Sequence, residues 1–468
     1  MLVSCPTRSH APRRRYRGIL ALGTALLTLA LAMPAAGAPS VGSGLTYAGA
    51  QASGNADGSI PAFEGVVPPS PGWSFGKFRG DYWKYRGEKP LFSITAANMS
   101  RYAAHLTPGQ QALIAARPGY QMDVYPTHRD CGLPDFVQAN TVNNVGKAKS
   151  GADGWSLEAA QLPSVPFPTP KSGIEAMMNF QVRYQGVGTD WAISQTAISP
   201  RPGGSDFIYL VYNQLFYFPW GKRGVQTPQS VGDLLNGTFY TFLRPNALAG
   251  QALVQRYYFG KAAESYYYFT GQRRVRRLPV YAYDAPIIGT ENTYPNDAIQ
   301  IFYGSPDRFD WKLLGKKELY VPYNSFQDFR LPVTMIGPSY PNASVRRYEL
   351  HRVWVLEGTV KDGVRHNTPR KVLYLDEDSW IAVAGEDYDV NKRLWHVKEE
   401  NSWPNYESSS CTSAGMFETY DLLSGRYFAD QVLFGLGKDV KLVTDPSQDN
   451  RLRDDFYSPE NLRAISER

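Results

Sequence analysis

The chain has 468 residues, with 49 Lys and Arg against 43 Asp and Glu and a formal charge of +6. A chain of this length buries a large core without help from metals or cross-links. Most of that excess lies in the first seventeen residues, and the nearly neutral remainder is a poor candidate for a general nucleic-acid binder, whose affinity rests on neutralising many phosphates.

Residues 1–37 have the three-part layout of an export signal: Arg8, Arg13, Arg14, Arg15 and Arg17, then the apolar run Gly18 to Met33, then small residues at Ala35, Ala36 and Gly37. Cleavage is expected near Gly37, because Pro39 disfavours a cut directly after Ala38. The alternative is a retained anchor, for which the run is shorter than the ~20 residues that span a bilayer. The signal holds five arginines and no acid, so its loss leaves about +1. Cys5 precedes the run and Cys131 lies far beyond it, so no lipoprotein cysteine stands at the cut and a soluble exported chain is expected. The remaining cysteines, Cys131 and Cys411, are an even count that fits a disulfide in an oxidising compartment, the alternative being two separate buried thiols.

Residues 38–94, rich in Gly, Pro and Ser, are expected to form an extended strap. Residues 95–190 are expected as a helical and irregular cover. Thr107-Pro108-Gly109-Gln110 is a capping box with a first-turn proline, which predicts a helix to about Arg117. Further helices are expected over Ala96 to His105 and Val137 to Lys149.

Residues 191–468 read as strands, starting with "SDFIYLVYNQLFYFPW", "GTFYTFLRP", "GQALVQRYYFG" and "ESYYYFTGQRRVRRLPV" and resuming at "WKLLGKKELYVPY" and "RRYELHRVWVLEGTV". Nine or more antiparallel strands make an open sheet large enough to curl and form a concave face. Ile208, Leu210, Tyr212 and Phe216 alternate with Phe207, Tyr209, Val211 and Leu215, so that strand must be covered on both faces. In the strand around Trp354, Glu349, His351, Glu357 and Thr359 form a face expected to meet water. Between the two strand sets, a helix over Asn296 to Tyr303 is expected to act as a plug or lid.

No catalytic or metal motif stands out. No histidine belongs to a metal-binding pair, although His351, His366 and His396 lie on strands that can be neighbours. Asp387-Tyr388-Asp389 starts like a calcium loop, but Lys392 and Lys398 occupy its glycine and glutamate positions. There is no phosphate loop, and Glu377 and Asp378 read as solvated turn residues. No enzyme and no cofactor are therefore expected. Arg273, Arg274, Arg276 and Arg277 point alternately to both faces of one strand. They mark either a sheet edge protected from pairing or a contact to an anionic head group.

"NADGSIPAFEG", "KPLFSITAANMSRYAAHLTPGQ", "YPTHRD", "VPFPTPKSGIEAM", "YYYFTGQRRVRRLPVYAYD" and "VLYLDEDSWIAVAGEDYDVNKRLWHV" together resemble a long proteobacterial periplasmic family of unknown function, often labelled outer-membrane lipoprotein-sorting protein. Its later part is similar to the LolA and LolB carriers. The resemblance implies a half-open antiparallel barrel with helices across its mouth, enclosing a cavity for an apolar molecule. It also implies a periplasmic shuttle working with inner-membrane efflux pumps and outer-membrane channel proteins. The chain departs from the pattern at Met178-Asn179-Phe180, where Trp-Asn-His is expected, and in its two cysteines.

The expectation is a mainly β protein with some helix: a large curled antiparallel sheet, covered by helices and crossed by an N-terminal strap. It would carry a lipid or other hydrophobic molecule between envelope partners. The alternative is a carbohydrate- or peptidoglycan-binding scaffold with exposed aromatics. Alternation selects Trp191, Tyr209, Tyr266, Tyr268, Trp354, Leu356 and Trp380 as cavity wall, with Arg274 and Arg276 at the head group.

Overall fold

The computed structural model describes residues 41–330, 335–413, 415–432 and 440–467. The expected export signal lies outside them. Among the described residues, no helix is long and apolar enough to cross a membrane.

The protein is mainly β, built on one sheet of 16 strands. From one end, Phe92–Ile94 pairs with Met122–Val124, which meets Tyr348–Val360. Arg370–Asp376, Ala382–Tyr388, Leu394–Glu400, Phe417–Asp421 and Tyr427–Val432 follow in an antiparallel meander. Tyr427–Val432 then pairs with Gly188–Ile198, and Ile208–Tyr217, Leu234–Arg244, Ala252–Tyr258, Glu264–Phe269 and Arg274–Arg277 complete the path. Phe309–Pro322 pairs with Tyr348–Val360, and Lys441–Val443 with Gly188–Ile198. The path is open, ending at Phe92–Ile94 and at Arg274–Arg277.

The sheet bends around a shared core. Trp191, Phe216 and Phe218, on or beside Gly188–Ile198 and Ile208–Tyr217, share a buried cluster with Leu356, Leu373, Leu375 and Trp380, on or beside Tyr348–Val360 and Arg370–Asp376, several strands away along the path. The helix Gly173–Gln181 fills the space between, burying Ala176, Met177, Met178 and Phe180. Ser172 caps this helix by accepting from the Glu175 N–H. Gly173 is required at its start, because a Cβ there would lie 2.1 Å from the Trp311 carbonyl oxygen.

The capping box of Thr107 and Gln110 forms as expected and starts the helix Pro108–Ala116. The expected helix over Val137 to Lys149 runs Asp135–Asn144. That over Ala96 to His105 is a short α-turn, Met99–Tyr102, followed by a 3₁₀ turn, Ala103–His105. The helix expected over Asn296 to Tyr303 shrinks to one 3₁₀ turn, Asn296–Ala298, because Gln300 and Ile301 adopt φ of 46° and 69°. Residues 41–91 contain no strand, yet bury Ala48, Ala50, Ile60 and Trp83 against the body.

The face of Tyr348–Val360 expected to meet water divides: Thr359 is exposed and Glu357 half-buried, but Glu349 is 0% and His351 1% exposed. Glu377 and Asp378, expected in solvent, are buried as well. Arg129, from the segment after Met122–Val124, grips Asp378 with two hydrogen bonds of 2.8 and 2.7 Å. Arg352 donates to Glu377 at 3.1 Å and Lys316 at 2.6 Å. Compensation by named cations makes this burial tolerable, and alternation alone cannot reveal it.

Candidate functional site

The inner face of the sheet is closed by the protein itself. Residues 278–308, here called the plug, cross it with three 3₁₀ turns and no α-helix or strand. Tyr281, Ile287, Tyr294 and Ile299 of the plug pack on Leu210, Tyr212, Tyr240, Phe242, Leu253, Tyr267 and Phe428 of the sheet. The Tyr294 ring stacks on Phe428 at 4.0 Å. Further along, Ile301 and Phe302 join the helix core beside Trp311 and Phe309.

A β-bulge supplies the first polar latch. Asp430 and Gln431 together oppose Thr196, since Ala429 pairs with Ala197 and Val432 with Gln195. Such two-against-one pairing re-aims side chains, and Gln431 takes φ 55°. Asp430 accepts from Thr196 Oγ1 at 2.7 Å and from the Tyr212 hydroxyl at 2.5 Å, while its other oxygen accepts from the plug hydroxyl of Tyr294 at 2.6 Å. Burial pushes the Asp430 carboxyl up from its ordinary range, and the three hydroxyl donors oppose that. Gln431 accepts from plug Gln300 at 3.3 Å, and Gln300 also donates to the Ser413 carbonyl at 2.7 Å.

The second latch is ionic. Plug Asp297 lies 3.0 Å from His366 Nε2 and 3.3 Å from Lys371 Nζ. Lys371 also reaches Asp387 at 3.3 Å, and Asp387 holds Lys398 at 2.7 Å and His396 at 3.2 Å. His366 and His396, weighed together as metal ligands from the sequence, thus sit at opposite ends of one buried ion network. Burial pushes the carboxyls of Asp297 and Asp387 up, but the surrounding cations, Lys371 first, with His366 at Asp297 and Lys398 and His396 at Asp387, together outweigh it and hold them below the ordinary range. Lys398 is displaced downward by burial and by Lys371. It donates to the plug carbonyl of Ile301 at 3.1 Å. Ile301 is a β-branched residue in the left-handed region, directly after Gln300 in the same region, and such conformations persist only where surroundings impose them. Tyr303 closes the row, donating to Asn236 at 2.5 Å and lying 2.6 Å from Thr238 Oγ1.

With the plug seated, the hollow expected for an apolar guest is filled. The space among Leu210, Tyr212, Tyr240, Phe242, Ile287, Tyr294 and Asp430 is about 20 Å³, and that beside Phe180, Tyr257, Phe302 and Tyr303 about 30 Å³. Each suits a water molecule and falls short of the ~300 Å³ at which ligand pockets begin. A wider groove of about 630 Å³ is lined by Lys222, Arg223, Glu407, Asp445 and Gln448 with Phe136 and Tyr184, and is mixed in character.

The residues selected by alternation divide. Trp191, Leu356 and Trp380 are buried in the inner core, with Trp191 edge-on to Phe216 at 5.2 Å. Trp354 packs at its margin and stacks on Trp380 at 6.1 Å. Tyr266 and Tyr268 lie on the opposite face, against Tyr457 and Leu462 near the C-terminal helix Pro459–Ser466. Tyr267 is the ring that points inward. Tyr209 is exposed and stacks with Phe207. Arg274 and Arg276 are exposed on the terminal strand of the path, where charge discourages further pairing, and Arg276 lies over the Phe269 ring at 5.9 Å. Cys131 and Cys411 are joined in a disulfide, with Cα atoms 5.0 Å apart. Asp297, Tyr294 and Asp430 escaped the sequence reading. The plug's position between two strand sets was a signal, but a bulge that turns Asp430 inward leaves no periodic trace.

A family model described as protein of unknown function (DUF1329) matches residues 93–463. An uncharacterized protein of Pseudomonas aeruginosa, PA3922, is 35% identical over 458 residues, covering 96% of this chain and 97% of its own. Among solved structures, a putative outer membrane lipoprotein-sorting protein domain from Vibrio parahaemolyticus is 13% identical with a TM-score of 0.42, over 62% of this chain and 98% of its own. A DUF1329 family protein from Desulfovibrio piger is 14% identical with a TM-score of 0.40, over 62% and 100%. A LolA superfamily protein from Nitrosomonas europaea is 12% identical with a TM-score of 0.33, over 61% and 100%. Likeness at this level says nothing about what is bound. Matched by the family model over most of its length, and by a 35% identical relative of nearly equal span, the chain belongs to the DUF1329 family of proteins of unknown function.

Proposed function

We propose that this protein is a periplasmic carrier of a lipid or similarly long hydrophobic molecule, and that the plug occupies the ligand's place until a guest displaces it. The observation that carries the reading is the cover of the inner face. An apolar, tyrosine-lined surface is closed by a segment that forms no strand, is tied to the sheet backbone at Leu278 and is held along its length by discrete polar latches. A lid of this kind can leave as a unit without breaking the sheet ladder. Its latches are recovered on return, so binding and release need no chemistry on the ligand. Envelope proteins, such as an inner-membrane efflux pump and an outer-membrane channel, would serve as donor and acceptor.

A carbohydrate or peptidoglycan scaffold needs a row of exposed rings, whereas the largely exposed aromatic side chains among the described residues are Phe75 and Tyr209. The test is mass spectrometry of an organic extract of the purified full chain, together with titration by a fluorescent fatty acid. Copurifying lipid, and saturable probe binding displaced by unlabelled fatty acid, are expected. If neither occurs, even with the plug latch weakened by Asp297→Asn, the carrier reading fails.

A further inference from the structure

A second cluster lies apart from the plug, where the strand Tyr348–Val360 meets the turn after Arg370–Asp376. His351, Asp376 and Asp378 are 1%, 0% and 2% exposed, and one potential ligand atom from each lies within 4.8 Å of the others. The environment fixes the orientation of His351. Its Nε2 is 3.2 Å from Glu349 Oε2, and Glu349 is otherwise surrounded by donors: Arg347 Nε at 2.6 Å, the His128 backbone N–H at 2.7 Å and Asn324 at 3.1 Å. Glu349 is therefore an acceptor, Nε2 carries the hydrogen, and the Nδ1 lone pair faces the other way. The Tyr323 ring, stacked on His351 at 3.7 Å, fixes its plane.

Nδ1 faces a carboxylate. Asp376 Oδ1 lies 3.9 Å away, buried and without a hydrogen-bond partner, while Oδ2 of the same group accepts from Tyr323, from the Ser379 backbone and from the Ser379 hydroxyl. With the ring neutral, two lone pairs confront each other in a dry interior, with the Asp378 carboxylate beside them. Its two bonds to Arg129 leave further lone pairs to offer. An unsatisfied buried oxygen requires an explanation, and a cation between Nδ1 and Oδ1 would satisfy both groups.

We propose that His351, Asp376 and Asp378 bind one divalent metal ion, with zinc the best match to one imidazole and two carboxylates. Glu349 orients the histidine and Arg129 the carboxylate of Asp378, the outer-shell arrangement that metal sites use. Ligands on a tetrahedral ion at ~2.1 Å stand about 3.4 Å apart, so the gap between Nδ1 and Oδ1 closes by about half an ångström. The ion would staple the strand to the turn next to the Cys131–Cys411 bridge, whose Cys131 sulfur lies 2.7 Å from the same Tyr323 hydroxyl oxygen. This inference is independent of the carrier reading.

The test uses the full chain stripped with EDTA and titrated with Zn²⁺ alone, then with Co²⁺ alone. One zinc equivalent by elemental analysis, a raised Tm, and visible cobalt bands abolished by zinc are expected. Asp376→Asn should weaken zinc binding at least 100-fold, and Glu349→Gln, which keeps all three ligands, by about 10- to 100-fold. The second variant decides the matter if the first does not fold. The proposal is overturned if folded wild-type protein binds neither ion at millimolar concentration, if Asp376→Asn binds zinc as tightly as wild type, or if ¹⁵N shifts of metal-free protein show His351 protonated on both nitrogens and unchanged by zinc.

Discussion

Replacing Asp297 with asparagine keeps the shape of the plug and removes one charge from the ion network. His366 and Lys371 lose the carboxylate at 3.0 and 3.3 Å, while Lys371 keeps Asp387 at 3.3 Å and Thr368 at 2.7 Å. Breaking a buried pair by removing one partner costs about 3–5 kcal/mol. The surviving partners of Lys371 place this case at the low end, about 3 kcal/mol. Urea unfolding at neutral pH should show a lower midpoint at unchanged slope. The Asp297 carboxyl is held below its ordinary range, so its contribution is present above the unfolded-state pKa of about 4 and is lost as pH falls through the lower folded value. The gap between wild type and variant should therefore be flat from about pH 5 to 8 and narrow on acidification below about pH 4. If the plug is a gate, the variant should also take up an apolar dye in its native baseline more readily than wild type. A loss under about 1 kcal/mol, or one that persists in acid, refutes the latch. A full loss without extra dye uptake makes Asp297 a structural ion pair and removes its role as a gate.

Other substitutions separate the layers of the structure. Leu356→Ala, at a fully buried site in the inner core, should cost about 2–5 kcal/mol in the same urea assay. Cys411→Ser opens a link between residues 280 apart in sequence and should lower stability by about 2–5 kcal/mol, matched by wild type under reducing conditions. Thr107→Ala removes the capping box and should cost about 1 kcal/mol. Arg274→Ser with Arg276→Ser should leave stability within about 0.5 kcal/mol, while light scattering on concentration should rise as the terminal strand loses its charge.

Local rules made part of this structure legible. Thr107 and Gln110 announced their helix because a capping box satisfies its own orphan N–H groups, whatever lies around it. Ser172 with Glu175 three residues on is a similar start signal, and it could have revealed the Gly173–Gln181 helix that fills the core. Strand runs were visible as aromatic and branched residues. Their inward phase was not, because Tyr266, Tyr267 and Tyr268 are chemically identical and both faces of their strand are covered. Charge misled on the other face: Glu349, His351, Glu377 and Asp378 read as solvated, and it takes Arg129 from a distant segment at Asp378, Lys316 and Arg352 at Glu377 and the nearby Arg347 at Glu349 to make their burial tolerable. Pairwise compensation across more than two hundred residues has no signature in a single sequence.

The plug's own packing restricts what could replace it. Six of its side chains, Tyr281, Ile287, Tyr294, Ile299, Ile301 and Phe302, are buried against the sheet or the helix core. At roughly 1.5–3 kcal/mol for each buried apolar side chain, lifting them into water costs about 9–18 kcal/mol. A guest recovers about 0.8 kcal/mol per methylene it buries, so a chain of about sixteen carbons, worth about 13 kcal/mol, lies within that range. A short acid or a single aromatic ring does not. On the carrier reading, with the polar latches adding to the cost of lifting the plug, exchange would favour a long acyl chain over anything smaller, which is selection by length without a preformed pocket. On that reading a partner that draws Asp297 away from Lys371 would lower the cost and help decide which of the two occupies the inner face.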